Sequence, residues 1–175
     1  MTDPAYNLPE ELVTLARRVL DENRAAGLRI AVAESCTGGL VSAALTEIPG
    51  SSDVLEAGFV TYSNEAKHQL LGVGEEVIET FGSVSVACAW AMAKGAIERT
   101  NADVAVAITG IAGPGGGSEA KPVGTVVFSR ATRGAEFDEA MADMKQFGDL
   151  GRAGIRLQAA LVALELLRPG ASPSP

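Results

Sequence analysis

The sequence has 175 residues, enough for one domain of ordinary size and too few for two large cores. Its 22 acidic and 14 basic side chains give a net charge of −8, which repels a phosphate backbone and argues against a nucleic-acid partner, while 47% apolar and 21% charged residues make a globular composition. Two cysteines without C-x-x-C spacing, Cys36 and Cys88, exclude a disulfide-stapled scaffold, and the single histidine, His68, excludes H-E-x-x-H metalloproteases and His-rich metal centres.

The first residues are polar and carry Pro4 and Pro9, with neither the basic start nor the apolar run of an export signal. Apolar stretches elsewhere are broken well before the ~18 residues a membrane span needs. A reducing, cytoplasmic setting without membrane attachment is therefore expected.

In chain order, Leu12, Leu15, Ala16, Val19 and Leu20 recur at helical spacing behind Pro9, and Gly27 supplies a stop, so residues 9–26 read as an amphipathic helix. Residues 28–33 (LRIAVA) read as a buried strand, followed by a helix opening at 35–39 and running to about Glu47, before Pro49 and Gly50. Residues 54–62 have strand composition, with Ser63 and Asn64 behind them as helix-capping residues. Short helices are expected over 64–71 and 75–81, split by Gly72 and Gly74, then a longer alanine-rich helix over 86–99 capped by Ser85.

A second buried strand over 103–109 leads into a loop, 110–122, with five glycines and two prolines among thirteen residues. Residues 123–133 and 136–144 read as two strands of an antiparallel hairpin joined at Gly134, and 152–167 as a closing helix. Residues 1–8 and 169–175 are expected to be flexible ends around one domain, 9–168. Strands separated by helices predict a three-layer α/β/α fold with a mixed, mostly parallel sheet.

Ligands of open α/β sheets gather beyond the carboxyl ends of strands, which directs attention to three junctions. At the first, Glu34-Ser35-Cys36-Thr37-Gly38-Gly39, either Ser35 or Cys36 projects from a sharp turn, and the amides of 36–39 outline an oxyanion hole; alternatively Ser35 or Thr37 only caps the helix. The second, 62–67, offers a base. With Asn64 as N-cap, Lys67 falls at N3, where the positive helix end and partial burial disfavour its ammonium form, and Tyr62 can set its phenol beside that amine. A solvated lysine is the plain alternative. His68 is a rival base, but it points about 100° away from Lys67 on a helix.

In the third, Gly115-x-Gly117-x-x-Ala120 matches a relaxed dinucleotide fingerprint, yet Pro122 and the strand after it forbid the helix that motif must open. What remains is a glycine-rich rim whose amides, with Thr109, Ser118 and Lys121, can hold an anion such as phosphate.

Three segments taken together go beyond these arguments. They are AESCTGG over 33–39, GFVTYSNEAK over 58–67, and GIAGP over 110–114 with KPVGT over 121–125. In order and content they resemble the carboxy-terminal domain family of CinA, over about residues 10–168. The resemblance implies an amidohydrolase that converts nicotinamide mononucleotide to nicotinic acid mononucleotide and ammonia, with no metal or other cofactor. It places the family's serine on Ser35, its tyrosine on Tyr62 and its lysine on Lys67. Cys36, Thr37, Gly38, Gly39, Ser63, Asn64, Thr109, Gly110 and Gly113 are the expected substrate-binding positions. Before the last helix many members show Gly-Asp-Arg, whereas this chain reads Gly148-Asp149-Leu150-Gly151-Arg152, so no role passes to Arg152. A homodimer is expected, through the small-residue helix 86–96 and the apolar face of 155–167.

Overall fold

The computed structural model describes residues 7–135 and 141–171. The first residues of the expected strand 136–144, and parts of both expected flexible ends, lie outside them.

Five strands form one sheet in the order β2-β1-β3-β4-β5: β1 Ile30–Glu34, β2 Leu55–Val60, β3 Val104–Gly110, β4 Thr125–Thr132 and β5 Met141–Gln146. β1 pairs in parallel with β2 and β3, and β3-β4-β5 pair antiparallel, so the sheet is mixed as expected. Helices α1 Glu10–Ala26, α2 Leu40–Thr46 and α6 Gly151–Leu166 cover one face; α3 Asn64–Leu71, α4 Glu75–Phe81 and α5 Val86–Glu98 cover the other.

Alternation along the central strands explains the two layers, since successive side chains point to opposite faces. Ile30, Val32, Val104, Val106 and Ile108 face α1, α2 and α6, while Ala31, Ala33, Ala105 and Ala107 face α5. The alanine face lets α5 approach closely with its own small residues, Ala89, Ala93 and Ala96, packed there together with Cys88 and Met92. On α6, Ile155, Ala159, Ala160, Ala163 and Leu164 are likewise buried in the main core. The buried side chains of both helices expected to carry a dimer thus serve the core of the chain itself.

Element boundaries differ most at α2. Its expected start at residue 35 moves to Leu40, because Gly38 (φ 60°) and Gly39 (φ 95°) are left-handed and keep 35–39 as a turn. No helix among the described residues is long and apolar enough to cross a membrane.

Candidate active site

The order β2-β1-β3 makes the carboxyl end of β1 a switch point, with the chain leaving on one side and returning on the other. Register brings Glu34 level with Val60 and Ile108, so residues just beyond these three strand ends converge. The main chain around Ser35 is clamped from both neighbours: Thr61 N–H donates to Glu34 C=O at 2.8 Å, and Ser35 N–H donates to Ile108 C=O at 2.9 Å.

Beyond Ser35 the turn closes on itself. Gly38 N–H donates to Ser35 C=O at 3.0 Å, and Gly39 N–H donates to the Glu34 carboxylate at 3.1 Å. The expected oxyanion hole over 36–39 is therefore narrower than the sequence suggests, because two of its four amides already have partners. Those of Cys36 and Thr37 remain, lying against the Cys36 thiol. Burial is the largest cause that pushes this thiol up to about 11, so it stays protonated near neutrality. Thr37 turns inward: its side chain is buried, and its carbonyl accepts from Arg156 on α6 at 2.8 Å.

Lys67 arrives from the second junction. Ser63 is the N-cap, its hydroxyl accepting from Ala66 N–H at 3.0 Å, so Lys67 stands at N4 and not at N3 behind an Asn64 cap. Its side chain is 1% exposed, and Nζ lies 3.0 Å from Ser35 Oγ and 3.1 Å from the Thr61 carbonyl oxygen. Among the described residues no carboxylate lies within ion-pair distance of it. Burial holds its pKa below the ordinary lysine range, opposed by the Cys88 and Cys36 thiols. The Thr61 carbonyl can only accept, so it engages one N–H and leaves the lone pair of a neutral amine free to face Ser35.

His68 drops out as rival. It is exposed, turned away from Ser35 around α3, with Nδ1 2.8 Å from the Val73 carbonyl oxygen and Nε2 4.0 Å from Glu75. Tyr62 also departs from expectation: it is 59% exposed, and its hydroxyl accepts from Arg152 Nη2 at 2.8 Å instead of meeting the lysine amine. Arg152 Nη1 donates to the Gly113 carbonyl at 2.7 Å, which joins α6, the 110–122 loop and Tyr62 at one rim.

A cavity of about 460 Å³ opens over Ser35, Cys36 and Lys67. Of the expected substrate-binding positions Cys36, Asn64, Thr109, Gly110 and Gly113 line it, as does Tyr62, whereas Thr37, Gly38, Gly39 and Ser63 do not. Gly110 has no room for a side chain, since a Cβ there would meet Val126 Cγ2 at 2.8 Å and Thr125 O at 2.9 Å.

Residues 12–170 match the family described as the CinA C-terminal domain. The chain belongs to that family. It is 56% identical over 144 residues to a CinA-like protein of Mycobacterium avium, covering 82% of this chain and 33% of that protein, so it spans about a third of that relative's length. It is 49% identical over 142 residues to a nicotinamide-nucleotide amidohydrolase PncC of Enterobacter agglomerans, covering 81% of this chain and 84% of that one. The crystal structure of competence/damage inducible protein CihA from Agrobacterium tumefaciens superposes with a TM-score of 0.88 at 48% identity, over 93% of this chain and 97% of that one.

In this CinA C-terminal domain, two parts of the pocket escaped the sequence. Gly82, Ser83 and Val84 form a wall, held by Thr109 Oγ1 donating to Ser83 C=O at 2.8 Å, and nothing local in that tripeptide marks it as lining a site. Arg152 is the other. With Lys121 it supplies the cationic side chains of a lining that, among the described residues, contains no Asp or Glu, within a chain of net charge −8. Such a local contrast favours an anionic ligand.

Proposed function

We propose that this chain hydrolyses the carboxamide of nicotinamide mononucleotide, releasing ammonia and nicotinic acid mononucleotide, with Ser35 as nucleophile and Lys67 as base. The observation that carries the reading is the buried Ser35–Lys67 pair at 3.0 Å, whose lysine has, among the described residues, no carboxylate to keep it charged. The similarity to PncC and a basic pocket, with no carboxylate side chain in its lining among the described residues, support the substrate, a carboxamide that carries a phosphate.

Neutral Lys67 takes the Ser35 hydroxyl proton as Oγ attacks the amide carbon. The Cys36 amide, in the lining of the cavity, is the donor left to hold the oxyanion. The tetrahedral intermediate collapses, the C–N bond breaks, and Lys67 returns the proton to the departing nitrogen, so ammonia leaves and an ester remains on Ser35. Water then adds to that ester with Lys67 again as base, which frees the carboxylate and restores the serine. Arg152, Lys121 and the amides of the glycine loop face the phosphate end. Tyr62, bonded to Arg152, belongs to substrate anchoring more than to proton transfer.

Ammonia release from nicotinamide mononucleotide, compared with free nicotinamide, tests this. The mononucleotide should turn over and the free base, which lacks the anion, should not. Binding of the mononucleotide without ammonia would mark a sensing module, and faster release from another amide would reassign the substrate.

A further inference from the structure

Glu34 precedes the nucleophile and is 0% exposed, yet it forms no ion pair among the described residues. Four donors surround its carboxylate. Oε2 accepts from the Gly39 and Val41 amides, each at 3.1 Å, and Oε1 accepts from the Ser42 amide at 2.9 Å and the Ser42 hydroxyl at 2.8 Å. Helix α2 has no side-chain cap of its own, its N-cap being Gly39. The cap comes instead from the strand behind it, across the turn that presents Ser35. Ser42 reaches the carboxylate because Gly58 of β2 leaves it space: a Cβ on Gly58 would lie 2.3 Å from Ser42 Oγ.

We propose that Glu34 is a positioning residue: by tying the start of α2 to the end of β1 it fixes the 35–39 turn and holds Ser35 Oγ against Lys67 Nζ. Its backbone is already clamped between β2 and β3, so the carboxylate supplies the third side of the frame around Ser35. The charge is satisfied by amides, which carboxylates accept strongly at a helix start. A neutral carboxamide of the same size keeps one acceptor oxygen but turns an N–H₂ toward amides that can only donate, so the turn loosens. This inference rests on the reading of Ser35 and Lys67 as a hydrolytic pair.

The test compares wild type, Glu34→Gln and Ser42→Ala by ammonia release from nicotinamide mononucleotide, by labelling of Ser35 with a fluorophosphonate, and by thermal melting. Glu34→Gln should lower kcat by about a hundredfold with KM changed by less than about threefold, and should slow labelling in proportion, as expected when a turn misplaces the reacting atom but not the binding groups. Ser42→Ala, which keeps the carboxylate and removes one donor, should lose severalfold in kcat at unchanged KM; it carries the test alone should Glu34→Gln not fold. A variant that melts lower but keeps kcat and labelling within twofold of wild type would make Glu34 a simple helix cap and overturn the proposal, as would a rise in KM alone. Wild-type labelling at Ser35 without ammonia release would instead remove the proposed substrate, with the labelling ratio still deciding the role of Glu34.

Discussion

Replacing Lys67 by Met removes the amine but keeps an unbranched side chain, and its consequences for stability follow from the direction in which burial moves the lysine. The folded protein holds Lys67 below its ordinary range, whereas the unfolded chain returns it to ~10.4. Between those two values the unfolded state binds more protons than the folded one, so unfolding free energy rises with pH. One group of this kind gives a slope of at most about 1.4 kcal/mol per pH unit, reached where the folded lysine is neutral and the unfolded one charged. Because Lys67 is 1% exposed, solvent screening takes little from this. Cys36, held up to about 11, is present in both proteins, so its titration largely cancels in the comparison. Urea unfolding of wild type and Lys67→Met at intervals from pH 6 to pH 9 reads the difference directly. Wild type should gain on the variant as pH rises, by at most about 1.4 kcal/mol per pH unit, with about 2–4 °C in Tm for each kcal/mol. Parallel curves would mean that Lys67 is charged in the folded protein throughout, and the argument for a neutral base would fail.

Lys67→Arg should be as inactive in ammonia release as Lys67→Ala, because arginine stays charged, while His68→Ala should keep activity within a few-fold and preserve the rising limb of kcat/KM against pH. Arg152→Ala should raise KM for nicotinamide mononucleotide by roughly tenfold or more, since it removes a charged donor worth about 1.5–3 kcal/mol and frees Tyr62 and Gly113, with a smaller change in kcat, read from initial rates. Gly95→Ala should destabilise by about 1–3 kcal/mol in urea unfolding, because a Cβ on α5 would sit 2.0 Å from the Leu71 carbonyl oxygen at the end of α3, the helix that carries Lys67.

Much of this was written into local patterns. Helices α3 and α4 span the residues that their flanking glycines and polar caps mark off, and the antiparallel pairing of β4 with β5 matches the two strands read on either side of Gly134. Ser35 and Lys67 were legible as candidates because each sits just past a strand of obvious composition. Their meeting was not, since the 3.0 Å contact depends on β2 and β3 flanking β1, and pairing order has no local signature. The same reason hid Arg152, ninety residues from the tyrosine it holds, and the Gly82-Ser83-Val84 wall. The cap on α3 was misassigned by one residue because Ser63 and Asn64 are both good caps, and only the bond to Ala66 N–H selects the serine. The turn over 35–39 read as helix because nothing local shows that a carboxylate five residues back occupies the amide of Gly39.

A serine nucleophile passes through a covalent intermediate, and that intermediate can be trapped. Acid quenching within the first turnover of nicotinamide mononucleotide, followed by proteolysis and mass spectrometry, locates the acyl group on the chain. The nicotinoyl mononucleotide ester is expected on Ser35, and both it and ammonia release should be absent in Ser35→Ala. An acyl group on Cys36, or ammonia released at the wild-type rate by Ser35→Ala, would contradict it.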